Sequence, residues 1–212
     1  MSVDTEPGSV LDLLRRASKP AAFVVAAAAV ITTGVYFYRQ SKQAEALRAE
    51  QTLFEAQTSL ANGNRALAES DLQKLIQRSP NTPAAAQASA QLATLRYEDG
   101  KFDEGVALAQ RALDKAPGHM KPGLHALLAA GYEDQRKNAE AAAEYRKAAE
   151  ATEFDLDKQK YMSDAARALM AAGNAAEARK IWEDLSANEL SPLSGEARVR
   201  LGEMGAKPAG RS

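Results

Sequence analysis

Two hydrophobic patterns divide the chain. From residue 49 onward, apolar and small residues recur three and four apart between polar positions, which predicts a succession of short amphipathic helices. Ahead of them, Ala21 to Tyr38 reads AAFVVAAAAVITTGVYFY, 18 residues without a charge. As a helix this run spans about 27 Å, just enough for a bilayer core. Pro20 suits the first turn of such a helix. Tyr36, Phe37 and Tyr38 stand where interfacial aromatics are found. A transmembrane helix is therefore expected over 21–38. A cleaved signal peptide is the alternative. Ala44-Glu45-Ala46 has the small-x-small form, but it follows Arg39 and Lys42 and lies well past the apolar run.

The flanks divide the N-terminal part further. Residues 1–20 form a tail in which SVLDLLRRAS is a candidate short amphipathic helix, and 39–48 a linker or helix extension. Arg15, Arg16 and Lys19 precede the run, and Arg39, Lys42 and Arg48 follow it, so the positive-inside count ties at three each. The tighter N-terminal cluster favours an N-terminus in the cytoplasm and the rest of the chain outside. Ala22, Ala26, Ala29 and Thr33 share one helical face, the small-residue surface through which helices associate in lipid.

The amphipathic part repeats. Windows at Ala49–Thr82, Ala86–His119, Pro122–Asp155 and Gln159–Pro192 start 37, 36 and 37 residues apart. Each first helix carries a small residue at one place: Ala56, Ala93, Ala129, Ala166. A turn follows with Gly63, Gly100 and Gly173, where the third window has Arg136. The second helix opens on Ala68, Gly105, Ala141 and Ala178. Leu72, Ala109, Tyr145 and Trp182 come next, then Leu75, Ala112, Ala148 and Leu185. Pro80 and Pro117 close the first two units. Small residues let antiparallel helices approach, Gly suits the left-handed turn after a helix, and Pro stops the second helix.

On these residues the chain resembles the tetratricopeptide repeat family, most clearly in LATLRYEDGKFDEGVALAQRALDKAP and LLAAGYEDQRKNAEAAAEYRKAAE. The repeat domain is expected over 49–205. Its last element, Ser191 to Gly205, caps the exposed apolar end with Leu193, Ala197, Leu201 and Met204. Residues 206–212 are expected to be a disordered tail. The fold class is thus all-α: one N-terminal transmembrane helix, then a solenoid of about four helical hairpins with a capping helix. The order of parts, the overall length and the exit YFYRQ make the chain similar to the YfgM-like family, the ancillary subunit of the bacterial Sec translocon. That resemblance implies an inner-membrane, single-pass protein with periplasmic repeats. The implied role is a scaffold that recruits folding factors or client peptides to a membrane complex. The alternative is a non-catalytic accessory subunit of another large membrane assembly, such as an energy-transducing one.

Composition narrows the chemistry. Lys plus Arg is 27 and Asp plus Glu 28, so no general basic surface for nucleic acid exists. From Ala49 on, 21 basic residues face 24 acidic ones. Cysteine is absent and histidine occurs twice, as His119 and His125. Thiolate metal sites and cysteine nucleophiles are excluded. No phosphate loop, nucleophile elbow or calcium loop is present. No enzyme, no cofactor and no metal are expected; the bilayer and a membrane complex are the expected partners.

Interaction then rests on the inner face of the first helices. Its candidate residues are Leu53, Gln57 and Leu60, then Gln87, Thr94 and Tyr97, then Leu127 and Ala130, then Lys160, Arg167 and Met170. The groove reads as apolar at one end and basic at Lys160 and Arg167. Some members of the wider family grip a peptide carboxylate with paired Lys and Asn residues; the matching positions here lack that set.

Overall fold

The computed structural model describes residues 10–188 and 191–205, with side chains described from Val30 onward. Among the described residues all regular structure is helical: α1 (Val10–Ala61), α2 (Arg65–Arg78), α3 (Pro83–Glu98), α4 (Phe102–Lys115), a single 3₁₀ turn (Gly118–Met120), α5 (Lys121–Asp134), α6 (Asn138–Ala151), α7 (Asp155–Ala171), α8 (Ala175–Ala187) and α9 (Ser194–Gly205). The chain divides into two units, Met1–Leu47 and Arg48–Ser212.

In the first unit, α1 is unbroken through the expected linker at 39–48. Val30, Ile31, Val35, Tyr36, Phe37 and Tyr38 are exposed. Tyr36 and Phe37 meet edge to face at 5.8 Å, and Lys42 pairs with Glu45 at 2.8 Å. Among the described residues no helix is long and apolar enough to cross a membrane. Of the expected run, Val30–Tyr38 has described side chains. The other half of the expected run, 21–29, lies outside the residues whose side chains are described. This corrects the transmembrane helix, the single-pass inner-membrane topology with periplasmic repeats, and the bilayer and membrane complex as partners. The likeness to the translocon subunit and the accessory-subunit alternative depend on that span and fall with it. Of the small-residue face, Ala22, Ala26 and Ala29 lie outside the described side chains, and Thr33 is exposed. The tails at 1–9 and 206–212 also lie outside the described residues.

The second unit is a stack of helical hairpins. Each hairpin turns by the same device. Gly63, Gly100 and Gly173 have φ of 78°, 72° and 82°, and Arg136 has φ of 59° in the equivalent place. The amides that follow close back on the preceding helix: Gly63 N to Leu60 O at 2.9 Å and Asn64 N to Ser59 O at 2.8 Å. Arg136 N to Glu133 O and Lys137 N to Tyr132 O repeat the pair, both at 2.8 Å. This is the double closure of a left-handed helix C-terminus, and it satisfies carbonyls that the helix end leaves open. Between hairpins, Thr82 caps α3. Its hydroxyl accepts from Ala85 N at 3.2 Å and donates to Ser79 O at 2.8 Å, and Pro83 occupies the first turn.

The repeat positions form the core. Ala56, Ala93, Ala129 and Ala166 are fully buried where the two helices of a hairpin cross, as are Ala68, Ala141 and Ala178 opposite them. Leu53, Leu72, Leu75, Ala84, Ala88 and Leu92 join the end of α1 to α2 and α3. Tyr145, Leu169, Ile181, Trp182 and Leu185 join α6, α7 and α8. Ala197 of α9 is buried against that last cluster, with Leu201 and Met204 beside it. Alanine at the crossings lets backbones approach until dispersion contacts are continuous, so packing here tolerates no added methylene.

Candidate functional site

Among the described residues, hollows open beside the first helices α3, α5 and α7. Ala90, Gln91 and Thr94 of α3, His119 and Met120 of the 3₁₀ turn, and Gly123, Leu124 and Leu127 of α5 line a space of about 400 Å³. Arg167 and Met170 of α7, Trp182 of α8, and Arg200, Glu203 and Met204 of α9 line one of about 300 Å³. A third, of about 350 Å³, lies on the other side of α3, between α2 and α4, with Ile76, Leu92, Ala107 and Leu108 in its wall and Arg96, Glu104 and Arg111 beside them.

The sequence-expected groove residues separate into three groups. Thr94 and Leu127 meet in the α3–α5 hollow, and Arg167 and Met170 meet in the hollow at α9. Gln57, Gln87 and Lys160 are exposed and Ala130 is half-buried, without lining either hollow. Leu53 and Leu60 belong to the core, Leu53 being only 6% exposed.

Tyr97 is a wedge. A Cβ added at Gly105 of α4 would lie 2.2 Å from Tyr97 Cε1, and one at Gly131 of α5 would lie 2.3 Å from its hydroxyl. The ring therefore fills the space that both glycines leave open. Its hydroxyl is buried without a hydrogen-bond partner among the described residues. Burial, with Asp134 and Tyr132 nearby, pushes the phenol well above its ordinary range.

Nor is the C-terminal end of the groove a free basic surface. Arg167 pairs with Asp164 in its own helix and with Glu196 of α9 at 3.0 Å. Partial burial works against its charge, yet the two carboxylates outweigh it and hold the proton more tightly. Arg200 pairs with Glu203 at 3.1 Å and lies 3.9 Å from Glu196.

A dense charge cluster lies between the first two repeats, on α2, α3 and α4. Arg96 of α3 is 9% exposed and pairs with Glu69 of α2 at 2.9 Å and Glu104 of α4 at 3.2 Å. Arg65 of α2 reaches Glu69, Glu98 and Asp99, and also donates to Leu95 O at 2.8 Å. Burial alone would raise the Glu69 carboxyl, but Arg96 and Arg65 outweigh it and hold it below its ordinary value. These bonds tie successive repeats together and leave no acid or base free for chemistry. His125 Nδ1 lies 2.7 Å from Glu144 Oε2, and Lys147 takes the other carboxylate oxygen. Among the described residues no group of His, Asp or Glu could hold a metal ion.

His119, Met120, Trp182, Arg200 and Met204 line the hollows but escape a reading by period alone. That reading aligns first helices with first helices. The 3₁₀ turn and α9 enter through the path of the chain between and after the units. A signal for Trp182 exists in the sequence, because it is the single tryptophan.

A family model described as Tetratricopeptide repeat matches residues 53–119 and 163–207, more than half of the chain. No curated protein matches. Among solved structures, TPR-like repeats from a Podosopora anserina protein named for kinesin light chain align with a TM-score of 0.58 at 18% identity. They cover 74% of this chain and 84% of that one. A tetratricopeptide repeat protein from Parabacteroides merdae aligns with a TM-score of 0.59 at 19% identity, covering 74% of this chain and 59% of its own. The protein MamA aligns with a TM-score of 0.54 at 15% identity, covering 75% and 78%. Identities this low carry the fold alone. The family match and the helical hairpins agree on an all-α tetratricopeptide repeat fold.

Proposed function

The chain belongs to the tetratricopeptide repeat family, and from that premise we propose that it is a non-catalytic scaffold that holds a segment of a partner protein against the face formed by its first helices. The observation that carries the reading is the α3–α5 hollow. It is open and mostly apolar, and it is lined by the exposed or half-buried side chains Gln91, Thr94 and His119, with Leu127 at the edge of the core beside them. A space of about 400 Å³ at the surface, apolar with a few polar groups at its edge, suits a side chain anchor of an extended segment. The α2–α4 hollow is the less suitable one, because Arg96 and Glu104 in its wall already pair with each other.

The test is selection of linear peptides from a displayed random library against the full chain. Peptides sharing an apolar anchor are the expected outcome. Leu127→Arg, which fills the α3–α5 hollow with a charged chain, should weaken them at least about tenfold, the loss typical of a central anchor. Ala107→Arg in the α2–α4 hollow should leave them unchanged. Selected peptides that ignore Leu127→Arg and respond to Ala107→Arg would overturn the choice of face. Recovery of no related peptides would overturn the reading itself.

A further inference from the structure

The last hairpin of the stack is covered by α9, whereas the outer face of α1 in the first hairpin is open. Ala49, Leu53, Ala56 and Leu60 of α1 pack into the core shared with α2 and α3. At about 3.6 residues per turn, Leu47, Gln51, Phe54 and Thr58 lie on the opposite face of the same helix. Leu47 is 68% exposed and Phe54 69%, two large apolar side chains two turns apart with neutral ones between them. The 4-3-4 spacing of these four positions is that of a seam between paired helices.

The charges beside the seam select the occupant. Arg48 and Glu55 stand two turns apart on one flank, and Glu50 on the other; all three are exposed, and none has an ion pair among the described residues. Glu55 accepts from the neutral amide of Gln51 at 3.1 Å. A second copy laid antiparallel, with the two-fold axis beside Gln51, sets Leu47 against Phe54 of the other copy and Arg48 against its Glu55, each twice. One like-charge approach arises, between the two Glu50 across the axis. A parallel pair would set Glu50 against Glu55 twice and Arg48 against Gln43, with no ion pair.

We propose that the chain self-associates through this face, as an antiparallel pair of α1 helices crossing at Gln51. The contact is isologous, so it closes at two copies. It uses none of the residues that line the hollows and is independent of the reading given for them. The seam is far smaller than the roughly 20–30 residues a side of a stable interface, so the association is weak and dependent on concentration.

Sedimentation equilibrium of the full chain, from micromolar to millimolar concentration, should show a reversible monomer–dimer equilibrium. Phe54→Ser, a change at an exposed position, should raise the dissociation constant at least about tenfold. Arg48→Glu and Glu55→Arg should each weaken self-association by opposing like charges. An equimolar mixture of the two should pair again, because each supplies the charge that the other lacks. The chain has no cysteine, so single introduced cysteines report the register. Gln51→Cys, at the axis, should form a disulfide between copies on mild oxidation. Thr58→Cys, about 21 Å along the helix from its equivalent, should not. A monomer throughout the range, a dimer indifferent to Phe54→Ser, a mixture that pairs no better than its components, or crosslinking at both positions overturns the proposal.

Discussion

Gly105→Ala should destabilise the repeat domain although it replaces the poorer helix former by the better one. In α4 an alanine is favoured over glycine by about 0.5–1 kcal/mol of backbone entropy. Against that, the new Cβ would lie 2.2 and 2.4 Å from Tyr97 Cε1 and Cδ1 and 3.0 Å from Ala93 O. The first two atoms belong to the middle of a rigid ring and the third to the backbone of α3, so neither yields by a simple rotamer change. Overpacking of this kind costs about 1–3 kcal/mol. The net loss is then about 1–2 kcal/mol. The other units offer the internal control. Leu60 and Met170 stand where Tyr97 does, in repeats that carry Ala68 and Ala178 at the place of Gly105. In a Tyr97→Ala background the ring is gone and only the 3.0 Å approach to Ala93 O remains, so Gly105→Ala should become neutral to slightly stabilising, by at most about 0.5 kcal/mol. Urea unfolding of the four proteins, followed by far-ultraviolet circular dichroism, gives the coupling energy directly. An effect of the same sign in both backgrounds would refute the wedge.

Other consequences are simpler. Arg136→Gly relieves an L-residue at φ of 59° and should raise stability by about 1 kcal/mol in the same unfolding assay. Ala141→Leu inserts into a fully buried crossing and should cost about 1–3 kcal/mol, whereas Ala139→Leu at an exposed neighbour should cost little; equal midpoints would contradict the register. Glu69 and Glu144 have folded carboxyl values held below the ordinary 4.5, by Arg96 with Arg65 and by Lys147 with His125, against the opposing effect of burial. Their contribution is present above the unfolded value and is lost as pH falls through the depressed folded values, so the unfolding midpoint should drop on acidification below about 4.5. Arg96→Met removes one cation from Glu69, and its midpoint should fall less steeply over that window than that of the parent chain.

The helical repeat is legible in the sequence because its determinants are local and periodic. One alanine per first helix, one small residue per second helix and a left-handed turn residue between them recur every 36 or 37 positions. Even the exception, Arg136, is visible as a gap in a column of glycines, and the backbone takes the left-handed conformation there all the same. The N-terminal run is a different kind of signal. An absence of charge over 18 residues, six of them alanine, counts length and says little of what surrounds the helix, and among the described residues no helix is long and apolar enough to cross a membrane.

The groove is misread where a side chain's destination depends on a second helix. Tyr97 occupies an inward register position, so periodicity places it with the binding residues; only the glycines at 105 and 131, in two other helices, make the room that draws the ring inward. Glycine in place of the alanine that the other units use at 105 is the trace this leaves in the sequence. Arg167 likewise looks like a free cation while α7 is considered alone. Glu196 reaches it from α9, 29 residues later, and the apparent basic end becomes a paired one. The same helix brings Met204 beside Trp182 and Met170. One capping element thus removes the charge that a carboxylate would need and supplies a wall of an apolar hollow.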